Sequence, residues 1–131
     1  MTTITVVDTN VVIRLLVDDH PQLSSKAKEL FNSAQNGNTT IYIDEVIVAE
    51  IIWLMLSFYK KEKQVIISLL EKLLSQKWIV NPRKEILQKA LAFYASHNVS
   101  FVDCWAMMIA KNKKYAFVTF DKTLDKLARS S

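Results

Sequence analysis

The chain has 131 residues, of which half are hydrophobic, and this combination excludes an intrinsically disordered protein. Its formal net charge of +4 gives weak support for a polyanionic partner. A single cysteine excludes an intrachain disulfide. The N-terminal residues lack the basic segment and apolar run of a signal peptide, and no apolar stretch is long enough for a membrane span. We therefore expect one soluble, cytoplasmic domain over residues 1–131, with no membrane association.

Short apolar strands and longer amphipathic helices alternate along the chain. β-branched residues from Thr3 to Val7 predict a buried first strand. Similar segments at Ile41–Ile43, Trp78–Val80 and Tyr115–Phe120 predict three more. The intervening patterns predict helices over 10–17, 23–34, 45–59, 62–75, 82–96, 100–113 and 122–129. Strands separated by helices indicate an α/β fold around a mainly parallel sheet.

Two aspartates follow predicted strands directly. Asp8 ends the first strand and Asp121 the last, while Asp103 lies in the first turn of a predicted helix. Because ligand sites of open α/β sheets form at the carboxyl ends of the strands, these carboxylates are candidates for one site. Glu50 has Val46, Ile47, Trp53 and Leu54 as its helical neighbours, so we expect it on a buried face. A buried carboxylate of this kind favours a metal or catalytic role.

Each of these acids also has a structural explanation. Asp8 and Asp121 are well placed to cap the helices that follow them, and Asp103 stands three residues after Ser100, as in a capping box. Glu50 could pair with a lysine or arginine from elsewhere in the chain. Taken together, however, four carboxylates at one end of a sheet would repel one another without cations. They would form an oxygen-rich site suited to Mg²⁺ or Mn²⁺.

The charge distribution favours a nucleic-acid substrate. Setting the four candidate carboxylates aside leaves nine acidic side chains against 17 basic ones, an excess of about eight positive charges. The chain has one glycine, Gly37, and therefore no glycine-rich phosphate-binding loop. An acidic pocket in a basic protein is typical of a metal-dependent enzyme that acts on a phosphodiester.

Four segments of the chain resemble the PIN-domain ribonucleases and, within them, the VapC-type toxins of bacterial and archaeal toxin–antitoxin pairs. These segments read VVDTNVVIRLL, IVAEIIWLML, VSFVDCWAMMIAKN and FVTFDKTLDKLA, in this order along nearly the whole chain. The resemblance implies a three-layer α/β/α sandwich with a mainly parallel central sheet. It also implies a metal-dependent endoribonuclease. Many members of the family are homodimers, and a small antitoxin protein neutralises them.

The resemblance further implies roles for individual residues. Asp8, Glu50, Asp103 and Asp121 match the acidic constellation that coordinates Mg²⁺ or Mn²⁺ and activates water for phosphodiester hydrolysis. Three polar residues match the set that orients these ligands, namely Thr9, Asn10 and Thr119. Asp125 is a further acid, one turn after Asp121, that could assist or replace it. Basic residues near the motifs could contact the RNA backbone or could simply be solvated: Arg14, Lys111, Lys113, Lys114 and Lys122.

Two alternatives remain open at the level of sequence. One is a binding module that keeps the fold without catalysis, in which the carboxylates are caps and ion pairs. The other is a metal-dependent nuclease or phosphatase whose substrate is DNA or a nucleotide, because the preference for RNA rests on the resemblance. Both tryptophans that border the motifs, Trp53 and Trp105, are predicted to lie in the core, and Cys104 is predicted to be a packing residue.

Overall fold

The computed structural model describes residues 3–130. Contacts divide the chain into two compact units, Met1–Pro82 and Arg83–Ser131, here called the N-terminal and C-terminal units. The N-terminal unit contains β1 (Thr3–Val6), α1 (Thr9–Leu16), α2 (Pro21–Gln35), β2 (Thr39–Tyr42), α3 (Glu45–Ser57), α4 (Lys63–Leu74) and β3 (Ile79–Val80). The C-terminal unit contains α5 (Lys84–Ser96), α6 (Phe101–Lys113) and α7 (Lys122–Ser130).

The N-terminal unit is built on a parallel sheet in the order β1-β2-β3. Ile41 of β2 and Ile79 of β3 are fully buried, because the sheet packs against helices that contribute Ile13, Ile51 and Leu70 to the same core. These elements confirm the existence of the predicted strands at 3–7, 41–43 and 78–80, but the prediction that the first strand is buried is wrong, since Ile4 and Val6 are 66% and 72% exposed. The parallel sheet with its helices agrees with the predicted α/β/α fold class, and the extent of the domain, 1–131, stays a prediction.

The C-terminal unit is helical. Helices α5 and α6 pack through Leu87, Leu91 and Met107, and Tyr94 contacts Phe101 edge to face with ring centroids 5.9 Å apart. Cys104 is fully buried in α6, which confirms its predicted role in packing. No helix among residues 3–130 is both long and apolar enough to cross a membrane.

The fourth predicted strand, Tyr115–Phe120, is wrong. This segment forms no strand in the structure, and Val118 and Phe120 are 81% and 99% exposed. Its β-branched and aromatic residues satisfy the local preference for extended backbone. A strand also requires a hydrogen-bonded neighbour, which the local pattern cannot specify.

Helix α3 buries a different face from the one predicted. Its buried residues are Val48, Ile51, Ile52 and Met55, whereas Trp53 is 63% exposed. The predicted core position of Trp53 is therefore wrong. Because apolar residues occur all around this helix, its sequence did not reveal which stripe packs against the sheet.

Threonine hydroxyl groups form hydrogen bonds between β1 and β2 at the start of the two strands. Thr39 is buried, and its Oγ1 donates to the Thr3 carbonyl oxygen at 2.9 Å and lies 2.8 Å from Thr5 Oγ1. Thr3 Oγ1 also donates to Thr39 Oγ1 at 3.1 Å. One side chain thus holds two positions of β1 in register with β2.

Replacing Thr39 with valine should destabilise the N-terminal unit. Thr39→Val keeps the side-chain shape but removes the hydroxyl that bonds to the Thr3 carbonyl oxygen and to the Thr3 and Thr5 hydroxyls. The free energy of unfolding should fall by about 2 kcal/mol. Thr40→Val is the matched control, because Thr40 Oγ1 lies 3.5 Å from the Thr3 carbonyl oxygen and its hydrogen bond is therefore weaker than the 2.9 Å bond from Thr39. Urea unfolding should show a clearly lower free energy of unfolding for Thr39→Val and little change in it for Thr40→Val. Equal free energies of unfolding would refute this role of Thr39.

Candidate active site

Two aspartates follow neighbouring strands of the N-terminal unit at equivalent positions. Val6 of β1 lies opposite Tyr42 of β2 in the parallel register. Asp8 and Asp44 each stand two residues further along, at the carboxyl edge of the sheet. Both line a groove of about 540 Å³, here called the β1–β2 groove, with Val6, Val7, Val11, Tyr42, Val46 and Ile47.

One carboxylate oxygen of Asp8 accepts a hydrogen bond from the backbone, and the other has no partner among the described residues. It is the N-cap of α1, and its Oδ1 accepts a hydrogen bond from the Val11 N–H at 3.2 Å. The structural explanation as a cap is therefore confirmed. Oδ2 has no hydrogen-bond partner among the described residues, and the side chain is exposed. Asp8 can consequently cap α1 and bind a ligand in the groove at the same time.

Asp44, which was not among the predicted site residues, is a second carboxylate that lines the groove. Its Oδ1 accepts from the Val46 N–H at 2.9 Å and its Oδ2 accepts from the Tyr42 hydroxyl at 2.8 Å. Its place after β2 repeats the place of Asp8 after β1, and this repetition was the available signal. Because both oxygens already accept hydrogen bonds, Asp44 is less available than Asp8 and mainly adds negative charge to the groove.

Two buried polar side chains lie next to this edge in the chain. Thr9, predicted to orient the ligands, is buried, and its Oγ1 has no hydrogen-bond partner among the described residues. The Asn81 amide donates to the Ile43 carbonyl oxygen at 2.9 Å and to Glu45 Oε1 at 3.0 Å. Asn81 thus ties the end of β3 to the turn between β2 and α3. Asn10, the other polar residue predicted here, is exposed.

Glu50 is exposed, so the prediction that it lies on a buried face is wrong. Its helical neighbours Val46 and Trp53 are 70% and 63% exposed, because the packed face of α3 is the opposite one. No ion pair or hydrogen bond joins the Glu50 carboxylate to another described residue, which leaves it open to solvent and to ligands.

The C-terminal unit carries the other two predicted acids. Asp103 is half-buried in the first turn of α6, where its N–H donates to Ser100 Oγ at 3.1 Å. Asp121 is exposed, accepts from the Leu124 N–H at 2.9 Å, and donates its own N–H to Thr119 Oγ1 at 3.1 Å. The capping explanations therefore hold for Asp121 and Ser100, and Thr119 positions the backbone of Asp121.

Ion pairs engage some of the remaining candidates. Asp125 Oδ2 accepts from Arg129 Nε at 3.0 Å, which weakens the idea that Asp125 replaces Asp121. Arg14 Nη1 lies 2.7 Å from Asp19 Oδ1, so the charge of this arginine is already partly neutralised. The four lysines suggested for RNA contact are all exposed, namely Lys111, Lys113, Lys114 and Lys122.

The donors of the β1–β2 groove fit a hard divalent cation. Asp8 offers a free carboxylate oxygen and Asp44 adds charge, which is the oxygen chemistry that Mg²⁺ and Mn²⁺ prefer. Thr9 does not line the groove, but it follows Asp8 in the chain and carries a buried hydroxyl without a partner among the described residues. Within residues 3–130, no group of three or more histidine, cysteine, aspartate or glutamate side chains could by itself hold a metal ion.

A comparison with protein-family models identifies the chain. The model of the PIN domain matches residues 5–130. The chain belongs to the PIN domain family. PIN domains are generally metal-dependent nucleases, which act on nucleic acids with divalent ions. Searches of curated proteins and of solved structures gave no significant match. Family membership thus supports a nuclease, and the acidic edge of the PIN sheet is its candidate active site.

Replacing Thr9 should separate folding from function in this PIN domain. Thr9→Val removes a buried hydroxyl that has no partner, so the metal-free protein should become more stable by about 1 kcal/mol. Divalent-ion binding should weaken if this hydroxyl orients a ligand or water. Thermal unfolding with and without Mn²⁺ measures both effects. A destabilised metal-free variant would show that Thr9 Oγ1 has an essential structural bond instead.

Proposed function

We propose that this PIN domain is a metal-dependent endoribonuclease that hydrolyses RNA phosphodiester bonds. We further propose that it is the toxin of a type II toxin–antitoxin pair. The observation that carries the proposal is the free carboxylate oxygen of Asp8 at the carboxyl edge of the sheet, within a chain matched from residue 5 to residue 130 by the PIN model.

The proposed ligands of Mg²⁺ or Mn²⁺ are Asp8, Glu50, Asp103 and Asp121. When bound, a divalent cation would offset phosphate charge and acidify water for attack on phosphorus. What supports this set is the family membership together with the state of each side chain. Glu50 has no partner among the described residues, and the oxygens of Asp8 and Asp121 that do not cap helices are also unpaired.

The chain's own residues would preorganise this chemistry. The Val11 N–H fixes the rotamer of Asp8, and the Leu124 N–H does the same for Asp121, so neither carboxylate must be ordered when a ligand arrives. Exposed lysines at the end of α6 and the start of α7 would attract the RNA backbone through long-range charge. Lys111 and Lys122 are the clearest examples.

The proposed partners are an RNA substrate, a small antitoxin protein and a second copy of the chain. Support for protein partners comes from large apolar side chains left exposed on and after α3, including Val46, Trp53 and Phe58. Such side chains are more typical of an interface than of an ordinary solvated helix. The choice of RNA over DNA rests on the resemblance to the toxin family.

The decisive test compares RNA cleavage by the wild type and by Asp8→Asn. Asparagine keeps an oxygen that can cap α1, so the variant should fold, but it removes the charge that a hard cation requires. We expect cleavage of labelled RNA in Mg²⁺ or Mn²⁺, no cleavage in EDTA, and a loss of at least about 100-fold in Asp8→Asn.

Asp18→Asn is the matched control. Asp18 is an exposed aspartate that pairs with Lys28 at 3.3 Å, outside the groove, and its variant should cleave normally. Equal cleavage by wild type and Asp8→Asn would contradict the proposed site. Cleavage of single-stranded DNA at the same rate would contradict the preference for RNA. Metal-independent RNA binding without cleavage would favour the non-catalytic module.

A further inference from the structure

The positive charge of the chain is concentrated in the C-terminal unit. Residues 83–131 contain nine lysine or arginine side chains and four acidic ones, a net charge of +5, whereas residues 1–82 contain eight basic and nine acidic ones, a net charge of −1. A polyanion is therefore attracted mainly to the C-terminal unit. Most of its cations lie at the end of α6 and along α7, namely Lys111, Lys113, Lys114, Lys122, Lys126 and Arg129.

A pocket of about 310 Å³ lies between these two helices, here called the α6–α7 pocket. All the residues that line it belong to the C-terminal unit. Its volume falls in the range of small-molecule sites, which begins at roughly 300 Å³. The lining combines buried apolar side chains with aromatic rings and cations, namely Met107, Ala110, Tyr115, Phe117, Lys111 and Arg129.

Tyr115 presents its aromatic ring at the surface of the pocket. The side chain is 65% exposed, and Phe117 beside it in the lining is half-buried. The backbone fixes the position of Tyr115, because Lys114 ends α6 in the left-handed conformation and the Tyr115 N–H donates to the Ala110 carbonyl oxygen at 2.8 Å. An exposed ring on an anchored backbone offers a flat surface on which a nucleic-acid base can stack.

Two cations accompany the rings. Arg129 Nε donates to Asp125 Oδ2 at 3.0 Å, and the two terminal nitrogens of its guanidinium have no partner among the described residues. Asp125 thus orients the guanidinium and leaves these nitrogens available. Lys111 is exposed and forms no ion pair with a described residue. An oriented guanidinium with an ammonium in the same pocket suits a phosphate group.

We propose that the α6–α7 pocket binds one nucleotide of single-stranded RNA. The base lies against Tyr115 and Phe117, and the neighbouring phosphate contacts Lys111 and Arg129. Aromatic surface next to cations is the combination with which proteins hold single strands, whose unstacked bases are free to enter a pocket. A paired base would first have to leave its stack, which costs free energy, so the pocket favours single strands over duplexes.

The pocket lies at a fixed distance from two of the proposed metal ligands, a consequence that rests on the proposed nuclease function. On α6, Asp103 precedes Lys111 by eight residues. Asp121 precedes Arg129 by the same number, at the start of α7 and along it. Because a helix rises about 1.5 Å per residue, each cation lies about 12 Å along its helix from the aspartate. A nucleotide held in the pocket therefore determines which phosphodiester of the same strand reaches these aspartates.

Binding of labelled single-stranded RNA in EDTA tests the pocket without reference to cleavage. Tyr115→Ala should weaken binding about tenfold and leave its salt dependence unchanged, because the substitution removes stacking and no charge. Tyr115→Phe should bind like the wild type, because it keeps the ring. Arg129→Gln should weaken binding and also lower the slope of log affinity against log salt by about 0.7, because it removes one phosphate contact.

Lys72→Gln is the matched control for charge. Lys72 is exposed on α4 in the N-terminal unit, so the substitution removes the same charge as Arg129→Gln from a position outside the pocket. Its affinity for RNA and its salt slope should equal those of the wild type. In Mn²⁺, Tyr115→Ala should raise the KM for RNA cleavage about tenfold and leave kcat unchanged, because the pocket holds the substrate and not the reacting atoms.

The outcomes separate the pocket from the nuclease. Wild-type RNA affinity in both Tyr115→Ala and Arg129→Gln would overturn the pocket, and tighter binding of a DNA strand of the same sequence would overturn its assignment to RNA. Weaker binding by these variants of a protein that cleaves no RNA would keep the pocket and overturn the nuclease. Cleavage by Tyr115→Ala with the wild-type KM would keep the nuclease and overturn the role of the pocket in positioning its substrate.

Discussion

The parallel register of β1 and β2 is the constraint on which the candidate active site depends. Thr39 fastens the two strands at their start, and Val6 faces Tyr42 at their end. Because the strands run in the same direction, the residues that follow them, Asp8 and Asp44, reach the same edge. A shift of one residue would move every side chain of β1 to the other face and separate this pair.

In the proposed site, the aspartates that cap helices would also bind the ligand. Asp8, Asp44 and Asp121 each accept a backbone N–H at the start of a helix. A cap orders the carboxylate and places it in the positive field of the helix N-terminus, which lowers the cost of gathering acids at one edge. The cap occupies one oxygen, so the second oxygen decides whether the residue can also bind a cation. Asp8 retains a free one, whereas Asp44 gives its second oxygen to Tyr42.

Much of the fold was predictable because its signals are local. The helices from α1 to α7 and the first three strands follow from periodicity, caps and turn residues, as with Asp8 before α1 and Ser100 before α6. The segment 115–120 shows the limit of such reasoning. Its residues prefer an extended backbone, but whether an extended segment becomes a strand depends on a neighbour that is distant in sequence.

The sequence allowed the capping roles of two candidate aspartates to be predicted, but not the surroundings of Glu50. The positions of Asp8 and Asp121 after apolar segments were visible, and each proved to be a cap with an oxygen to spare. The surroundings of Glu50 could not be predicted from the sequence, because α3 is apolar on all sides and its packed face depends on the sheet. The sequence also did not reveal that Arg14 pairs with Asp19.

Metal binding at the acidic edge is the central claim, and titration of Mn²⁺ by calorimetry tests it most directly. The account predicts that wild-type protein binds Mn²⁺, that Asp8→Asn binds at least about tenfold more weakly, and that Asp18→Asn matches the wild type. The temperature of unfolding should rise with Mn²⁺ in the wild type and less in Asp8→Asn. Equal Mn²⁺ affinity in wild type and Asp8→Asn would contradict the claim.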